Sequence, residues 1–157
     1  MIVRSYVRTH GLRATISNSC NNYGPYQHKD RLIPKTIDLV KNNKRPQMYG
    51  TGCNIREWLH VDDHAKAVWD ILNNGAIGQS YLVGSGVERS NVEVVSTILK
   101  AFGKDPGAYD LIDDRAGHDR RYALDHTKLT NELGWVPEHL DFEASLYQLV
   151  SCVTSSI

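Results

Sequence analysis

SCNNYGPYQHKDRLIP, residues 19–34, runs from two asparagines through a Tyr-Gly-Pro turn into an apolar-periodic segment. Upstream, LRATISN (12–18) alternates as a strand does, and downstream Ile33, Ile37 and Val40 share one face of a helix predicted over 31–43. Pro34 falls in the first turn of that helix, where a missing N–H costs little. Strand, polar turn and helix in this order make one unit of an α/β fold. Open α/β sheets place ligands at the C-terminal ends of their strands. Asn21 and Asn22 each bring a donor and an acceptor to that place. The same residue types also simply make turns. Residue types alone leave both readings open.

Working outward, residues 1–10 read as a helix stopped by Gly11. QMY (47–49) and REWLHV (56–61) read as strands around the turn GTGCN, and a helix starting at Asp62 or Asp63 is expected to bury Ala65, Val68, Trp69 and Leu72. QSYLVG (79–84) is a strand. SNVE (90–93) is a capping box for a helix burying Val95, Ile98, Leu99 and Phe102. AYDLID (108–113) reads as a strand, 126–133 as a helix ended by Gly134 and Pro137, and a last helix from 141 buries Phe142, Leu146, Leu149 and Val150. Alternating strands and helices argue for α/β architecture. The few, short strands argue for one domain or one piece of a domain.

The 157 residues carry 18 basic and 18 acidic side chains, so the formal net charge is zero. No global field draws the chain to nucleic acid or to an anionic membrane, and any anion site must be built locally. No apolar run approaches the ~20 residues of a membrane span, and MIVRSYVRTHGL lacks the apolar core of a signal peptide. Cys20, Cys53 and Cys152 form no CxxC pair, which suits a reducing cytoplasm. Arg56, with Arg115, His118, Arg120 and Arg121 of DRAGHDRR (114–121), suits a small phosphate site, since guanidinium groups pair bidentately with phosphate oxygens. The competing reading is a solvated charge run. His60 and His64 are four apart but divided between strand and helix, with no third ligand at a recognised spacing, so no metal site is expected. No glycine-rich dinucleotide loop, P-loop or G-x-S-x-G is present, and no tyrosine is followed by lysine four residues on.

Three blocks carry a resemblance: NNYGPYQHKDRLIP, MYGTGCNIREWLHVDDHAKA and DRAGHDRRYALDHTKLTNELGW, in this order. Together they resemble the C-terminal half of the dTDP-glucose 4,6-dehydratases, which are extended short-chain dehydrogenase/reductases acting on nucleotide sugars. The resemblance covers essentially the whole chain. IREWLHVDDHA and GHDRRYA are its specific elements, whereas NNYGP marks only the wider superfamily.

The implied fold is the substrate-binding part of such an enzyme without most of its Rossmann domain, with 1–20 a remnant of that domain and 21–157 the substrate-binding region. The implied reaction converts dTDP-glucose to dTDP-4-keto-6-deoxyglucose and water with NAD recycled, in a route to deoxysugars such as rhamnose. In the family the NAD loop and the catalytic Tyr/Lys pair lie upstream of the stretch that MIVRSYVRTHGL resembles. The chain alone is therefore expected to be inactive, with no catalytic residue of its own.

Position by position, the resemblance puts Asn21 toward NAD and Asn22 on the substrate. Arg31 and Leu32 meet the nucleotide, and Gln47, Met48 and Tyr49 pack on the base. Arg56 holds the diphosphate and Asn91 the ribose or diphosphate, while Asp114, Arg115, Gly117 and His118 close over the diphosphate. Ala116 stands where proline is usual, and Leu82 where asparagine is common. The implied partners are a dTDP-sugar and either a second copy or a separate N-terminal half. The rival readings are a non-catalytic nucleotide-sugar-binding module, a fragment of a UDP-sugar epimerase or dehydratase, and a truncated product without a stable fold.

Overall fold

The computed structural model describes residues 2–155. Helix α1 (Ile2–His10) ends at Gly11, whose φ of 64° suits a residue without a Cβ. There follow β1 (Ile16–Ser19), β2 (Asn21–Tyr23), α2 (Leu32–Lys41), β3 (Gln47–Tyr49), β4 (Ile55–His60) and α3 (Val61–Asn74). The second half contains β5 (Ser80–Val83), β6 (Glu88–Ser90), α4 (Asn91–Ala101), β7 (Asp110–Ile112), β8 (Arg121–Tyr122), α5 (Thr127–Leu133) and α6 (Phe142–Ser155).

Strand β4 organises the chain. Its C-terminal half pairs with β2 in parallel, Asn21 opposite Trp58 and Tyr23 opposite His60. Its N-terminal half pairs with β6 antiparallel and with β8 in parallel. A strand flanked this way is buried on both faces, and Arg56, Glu57, Trp58 and Leu59 are all buried. Alternation then divides the core. Trp58 packs with Tyr23, Ile33, Ile37, Val94, Ile98, Phe142, Leu146 and Val150 beneath α2, α4 and α6. Leu59 packs with Cys20, Ala67, Ile71, Tyr81, Val83, Leu129 and Trp135. Burying one such leucine contributes about 1.5–3 kcal/mol.

Two smaller parallel pairs complete the sheet structure, β1 with β5 and β3 with β7. The capping box expected at SNVE is formed: Ser90 caps α4 and the Glu93 carboxylate accepts from the Ser90 backbone N–H. That helix start is tied to the turn between β3 and β4, where Asn91 N–H donates to the Asn54 carbonyl and Val92 N–H to that of Gly52.

Several expectations change. The first strand starts at Ile16, not residue 12, and β2, β6 and β8 are strands that the sequence pattern does not predict. A three-residue β2 is too short to show a period; it exists because β4 lies beside it. Helix α3 buries Asp63, Ala67 and Ile71, while all four residues of the expected stripe, Ala65, Val68, Trp69 and Leu72, are exposed, Trp69 by 66% and Leu72 by 70%. Its phase is fixed at the start. His60 caps it directly from β4, and the Asp63 carboxylate accepts from the backbone N–H groups of Glu138 and His139. The second apolar face is thereby turned outward. Among α6 positions, Phe142, Leu146 and Val150 are buried and Leu149 packs partly against them.

Candidate functional site

Strand β2 and the turn after it, the start of α2, β3, β4, the start of α4, the loop before β8 and Tyr122 of β8 line a cavity of about 590 Å³. Eleven of the thirteen singled-out residues line it: Asn21, Asn22, Arg31, Leu32, Gln47, Met48, Tyr49, Arg56, Asn91, Arg115 and His118. Gly117 lines an adjoining cavity of about 360 Å³ with Arg56, Arg115, Ala116, His118 and Tyr122. Asp114 lines neither and instead accepts a 2.7 Å hydrogen bond at the ring of His118. That bond holds the Asp114 carboxyl below its usual range, the nearby Arg115 adding to the effect. Of the larger arginine set, Arg121 faces away, bound through two nitrogens to the Glu88 carboxylate at 2.6 Å each. Arg120 lines neither cavity.

The cavity is electropositive although the chain is neutral. Arg31, Lys35, Arg56 and Arg115 line it against one carboxylate, Asp30. Arg56 is the most telling, because it is only 6% exposed. Its polar partners among the described residues are backbone carbonyls, Ile55 at 2.7 Å and Asp119 at 2.8 Å. The guanidinium also lies 4.6 Å over the Tyr122 ring. Carbonyls and a ring orient a cation without neutralising it, so the site retains an uncompensated charge, which favours an anion.

Beside it, the Tyr122 hydroxyl donates to Oδ1 of Asn21, which leaves the Asn21 amide nitrogen as that side chain's available donor. Asn22 is held differently. Its Nδ2 lies 2.9 Å from Nδ1 of His64, and burial lowers the His64 pKa, so a neutral ring can accept this bond. The Asn22 carbonyl accepts from Gln27 Nε2 at 2.7 Å. Oδ1 of Asn22 and Oε1 of Gln27 are buried without partners among the described residues, two acceptors in want of a donor. Gly24 makes this packing feasible, since at its φ of 142° a Cβ would lie 2.6 Å from Val61 Cγ1.

At the other wall Tyr49 presents its ring with Arg115 5.5 Å from its centroid and His118 edge-on at 6.5 Å. Such a half-exposed ring suits stacking on a planar group. Cys20 also lines the cavity, but burial and the charge of Glu57 push its thiol up to about 12, so it is inert as a nucleophile.

Sequence reasoning missed Tyr122, Gln27, Lys35 and His64 as site-wall residues or supports. Tyr122 lay within the quoted GHDRRYA and Gln27 within the opening stretch, so both were visible as motif members without an assigned task. The Asn22–His64 contact joins residues 42 apart and leaves no local signal. No helix among the described residues is long and apolar enough to cross a membrane.

The chain is similar to known proteins in both sequence and fold. A family model described as GDP-mannose 4,6 dehydratase matches residues 1–148. The dTDP-glucose 4,6-dehydratase of Mycolicibacterium smegmatis is 56% identical over 146 residues, covering 93% of this chain and 44% of that protein. The crystal structure of dTDP-glucose 4,6-dehydratase from Bacillus anthracis in complex with NAD matches with a TM-score of 0.92 at 38% identity, over 99% of this chain and 49% of that one. The corresponding enzyme of Streptomyces venezuelae, with NAD and a second ligand bound, matches with a TM-score of 0.93 at 38% identity, over 99% and 48%. The chain thus spans a little under half the length of the relatives it matches, in their C-terminal half.

Proposed function

The chain belongs to the GDP-mannose 4,6 dehydratase family, and from that premise we propose that it is the nucleotide-sugar-binding half of a dTDP-glucose 4,6-dehydratase. The whole enzyme would convert dTDP-glucose to dTDP-4-keto-6-deoxyglucose and water, with NAD returned to its starting state. The observation that carries this reading is the buried, uncompensated Arg56 guanidinium in a cavity lined by four cationic side chains.

The proposed tasks follow from the geometry. Arg56 and Arg115 hold the diphosphate, Asn91 contributes at its ribose end, and the segment from Asp114 to His118 covers it. Tyr49 stacks on the base, with Gln47, Met48, Arg31 and Leu32 around it. Asn22, oriented by His64, offers Oδ1 to a sugar hydroxyl. These contacts bind and orient, and the cover over the diphosphate excludes water.

NAD is held by the similar dehydratase structures, but the residues here fit little of it. Asn21 has Oδ1 engaged by Tyr122, and the 157 residues contain neither a glycine-rich loop nor a Tyr-x-x-x-Lys pair. No hydride step is assigned to this chain, and these 157 residues on their own bind without turnover, because binding equally strong in ground and transition states accelerates nothing.

Residues 1–20 then act as the edge of the nucleotide-binding domain and 21–157 as the substrate region. A complementary N-terminal half would cover the exposed apolar side chains Ile2, Val3 and Tyr6 of α1 and Val68, Trp69 and Leu72 of α3. Cys20, Cys53 and Cys152 form no CxxC pair, which suits a cytoplasmic setting.

Calorimetric titration with dTDP-glucose, UDP-glucose and NAD in parallel tests the proposal. One-to-one heat with dTDP-glucose, weaker heat with UDP-glucose and none with NAD is expected. A folded sample silent to both nucleotide sugars would overturn it, and preference for UDP-glucose would assign the chain to the epimerase side of the fold.

A further inference from the structure

The register of the sheet decides where β2 meets α3. Asn22 lies opposite Leu59 in the parallel β2–β4 pair, and α3 begins at Val61 with no loop between, its first turn capped by the His60 side chain. The helix therefore passes beside β2 as it starts, and Nδ1 of His64 comes 2.9 Å from Nδ2 of Asn22. Resting on the nucleotide-sugar reading above, we propose that His64 is a positioning residue for substrate. Its unprotonated Nδ1 fixes the amide orientation of Asn22, and protonation of the ring reverses that orientation and weakens sugar binding.

The donor and acceptor inventory of the pair leaves one arrangement. An amide nitrogen only donates, so the His64 Nδ1 beside it carries a lone pair and the ring proton sits on Nε2. Oδ1 of Asn22 is buried without a partner among the described residues, as is Oε1 of Gln27, whose Nε2 is spent on the Asn22 carbonyl. Both residues line the cavity. Its wall is thus short of donors here, and a sugar hydroxyl supplies one. A protonated His64 carries an N–H at Nδ1 as well. Two donors cannot share one hydrogen bond, so the amide turns over, Oδ1 goes to His64, and the NH₂ group takes its former place. The acceptor kept for a hydroxyl is exchanged for a donor.

No carboxylate is paired with His64 among the described residues to hold that extra proton. On the same turn of α3, Asp62 faces His60 and Asp63 faces His139, while Lys66 pairs with Glu138 of the loop before α6. In the turn after β2, His28 faces Asp30. Tyr23 of β2 is a phenol that burial keeps neutral. Burial lowers the His64 pKa below the ordinary histidine value, so the ring is neutral at neutral pH and the exchange lies on the acid side. Burial and then the charge of His139 lower the His60 pKa as well, and a protonated His60 no longer caps α3. Substitution at position 64 separates the two histidines.

The test is calorimetric titration of the full chain with dTDP-glucose between about pH 8 and about pH 5, the window in which histidine changes charge. H64N places a non-titrating Oδ1 where Nδ1 stood, and H64L offers no acceptor. At neutral pH, H64L should bind roughly tenfold more weakly than wild type, and H64N should recover most of that loss. On acidification the ratio of wild-type to H64N affinity should fall roughly tenfold. Any acid limb from His60 or His118 is common to both chains and cancels in the ratio. In the wild-type chain without ligand, the NMR signals of the Asn22 side-chain amide should shift with the midpoint of the His64 ring, which keeps the test decisive if a variant misfolds. A ratio constant with pH, or an Asn22 amide indifferent to His64, would overturn this inference and leave the nucleotide-sugar reading standing. Absence of dTDP-glucose binding at neutral pH would remove both.

Discussion

Strands β4 and β1 both run into polar stretches, yet they differ in how fully the chain supports them. Strand β4 pairs with β2, β6 and β8 and is buried on both faces. Its one carboxylate, Glu57, is fully buried and accepts from the N–H groups of Ser85 and Gly86 at 2.7 Å and of Leu124 at 2.6 Å. Strand β1 pairs only with β5 among the described strands, and Ser17, Asn18 and Ser19 are exposed. The wall around Arg56 is therefore determined within the chain, whereas the α1–β1 side is partly unsupported. A ligand site resting on the first kind of strand would survive alone; a surface of the second kind would reward a partner.

The sharpest break of that contrast is E57A. It leaves three backbone donors without their acceptor, that of Ser85 fully buried and those of Gly86 and Leu124 partly so, and should cost about 3–5 kcal/mol, read as a lower urea midpoint. A loss below about 1 kcal/mol would show that the loops after β5 and β8 do not depend on β4. Next in size is R56M. It removes the buried charge while keeping an apolar stem, so stability should change by less than about 1 kcal/mol, but affinity for dTDP-glucose should fall roughly 10- to 100-fold. Calorimetry alongside a urea melt separates the two effects. Equal affinity in R56M would remove the anion-site argument.

The sequence made some of this visible for identifiable reasons. Helices α2, α4 and α6 declared themselves because Ile33/Ile37/Val40, Val95/Ile98/Leu99 and Phe142/Leu146/Val150 recur at helical spacing, and Ser90 with Glu93 wrote the start of α4. The cavity lining was legible mainly through motif resemblance, since the spacing of Asn21, Arg56 and Arg115 contains no period. What stayed hidden is what distant pairing decides. Helix α3 carries two apolar faces, and the His60 cap together with the Asp63 contacts to the 138–139 loop selects Ala67 and Ile71 for burial. The Tyr122–Asn21 contact, 101 residues apart, depends on β8 lying beside β4.

A smaller effect belongs to the capping box of α4, which carries Asn91 into the cavity. S90A should cost about 1 kcal/mol. Part of that is pH-dependent: hydrogen bonds from the Ser90 hydroxyl and N–H lower the Glu93 pKa, so their contribution is complete above the ordinary glutamate value and is lost as pH falls through the lowered one. The gap between wild type and S90A in urea midpoint should accordingly narrow on acidification. A gap that widens would mean the box is not the source of the stabilisation.

The smallest expected change tests the unsupported side. Trp58 and Trp135 are buried, whereas Trp69 is 66% exposed on α3. W69S should leave the unfolding free energy within about 0.5 kcal/mol of wild type and abolish the acrylamide-quenchable part of the tryptophan emission. In the wild-type chain that quenchable part should be independent of concentration if the face is free. If quenching of Trp69 instead falls as the chain is concentrated, two copies cover the face, and the contrast between β4 and the α1–β1 side holds for the single chain alone. If W69S destabilises by more than about 1 kcal/mol, Trp69 contributes to the folded chain itself, and the outward face of α3 is part of the core rather than a surface kept for a partner.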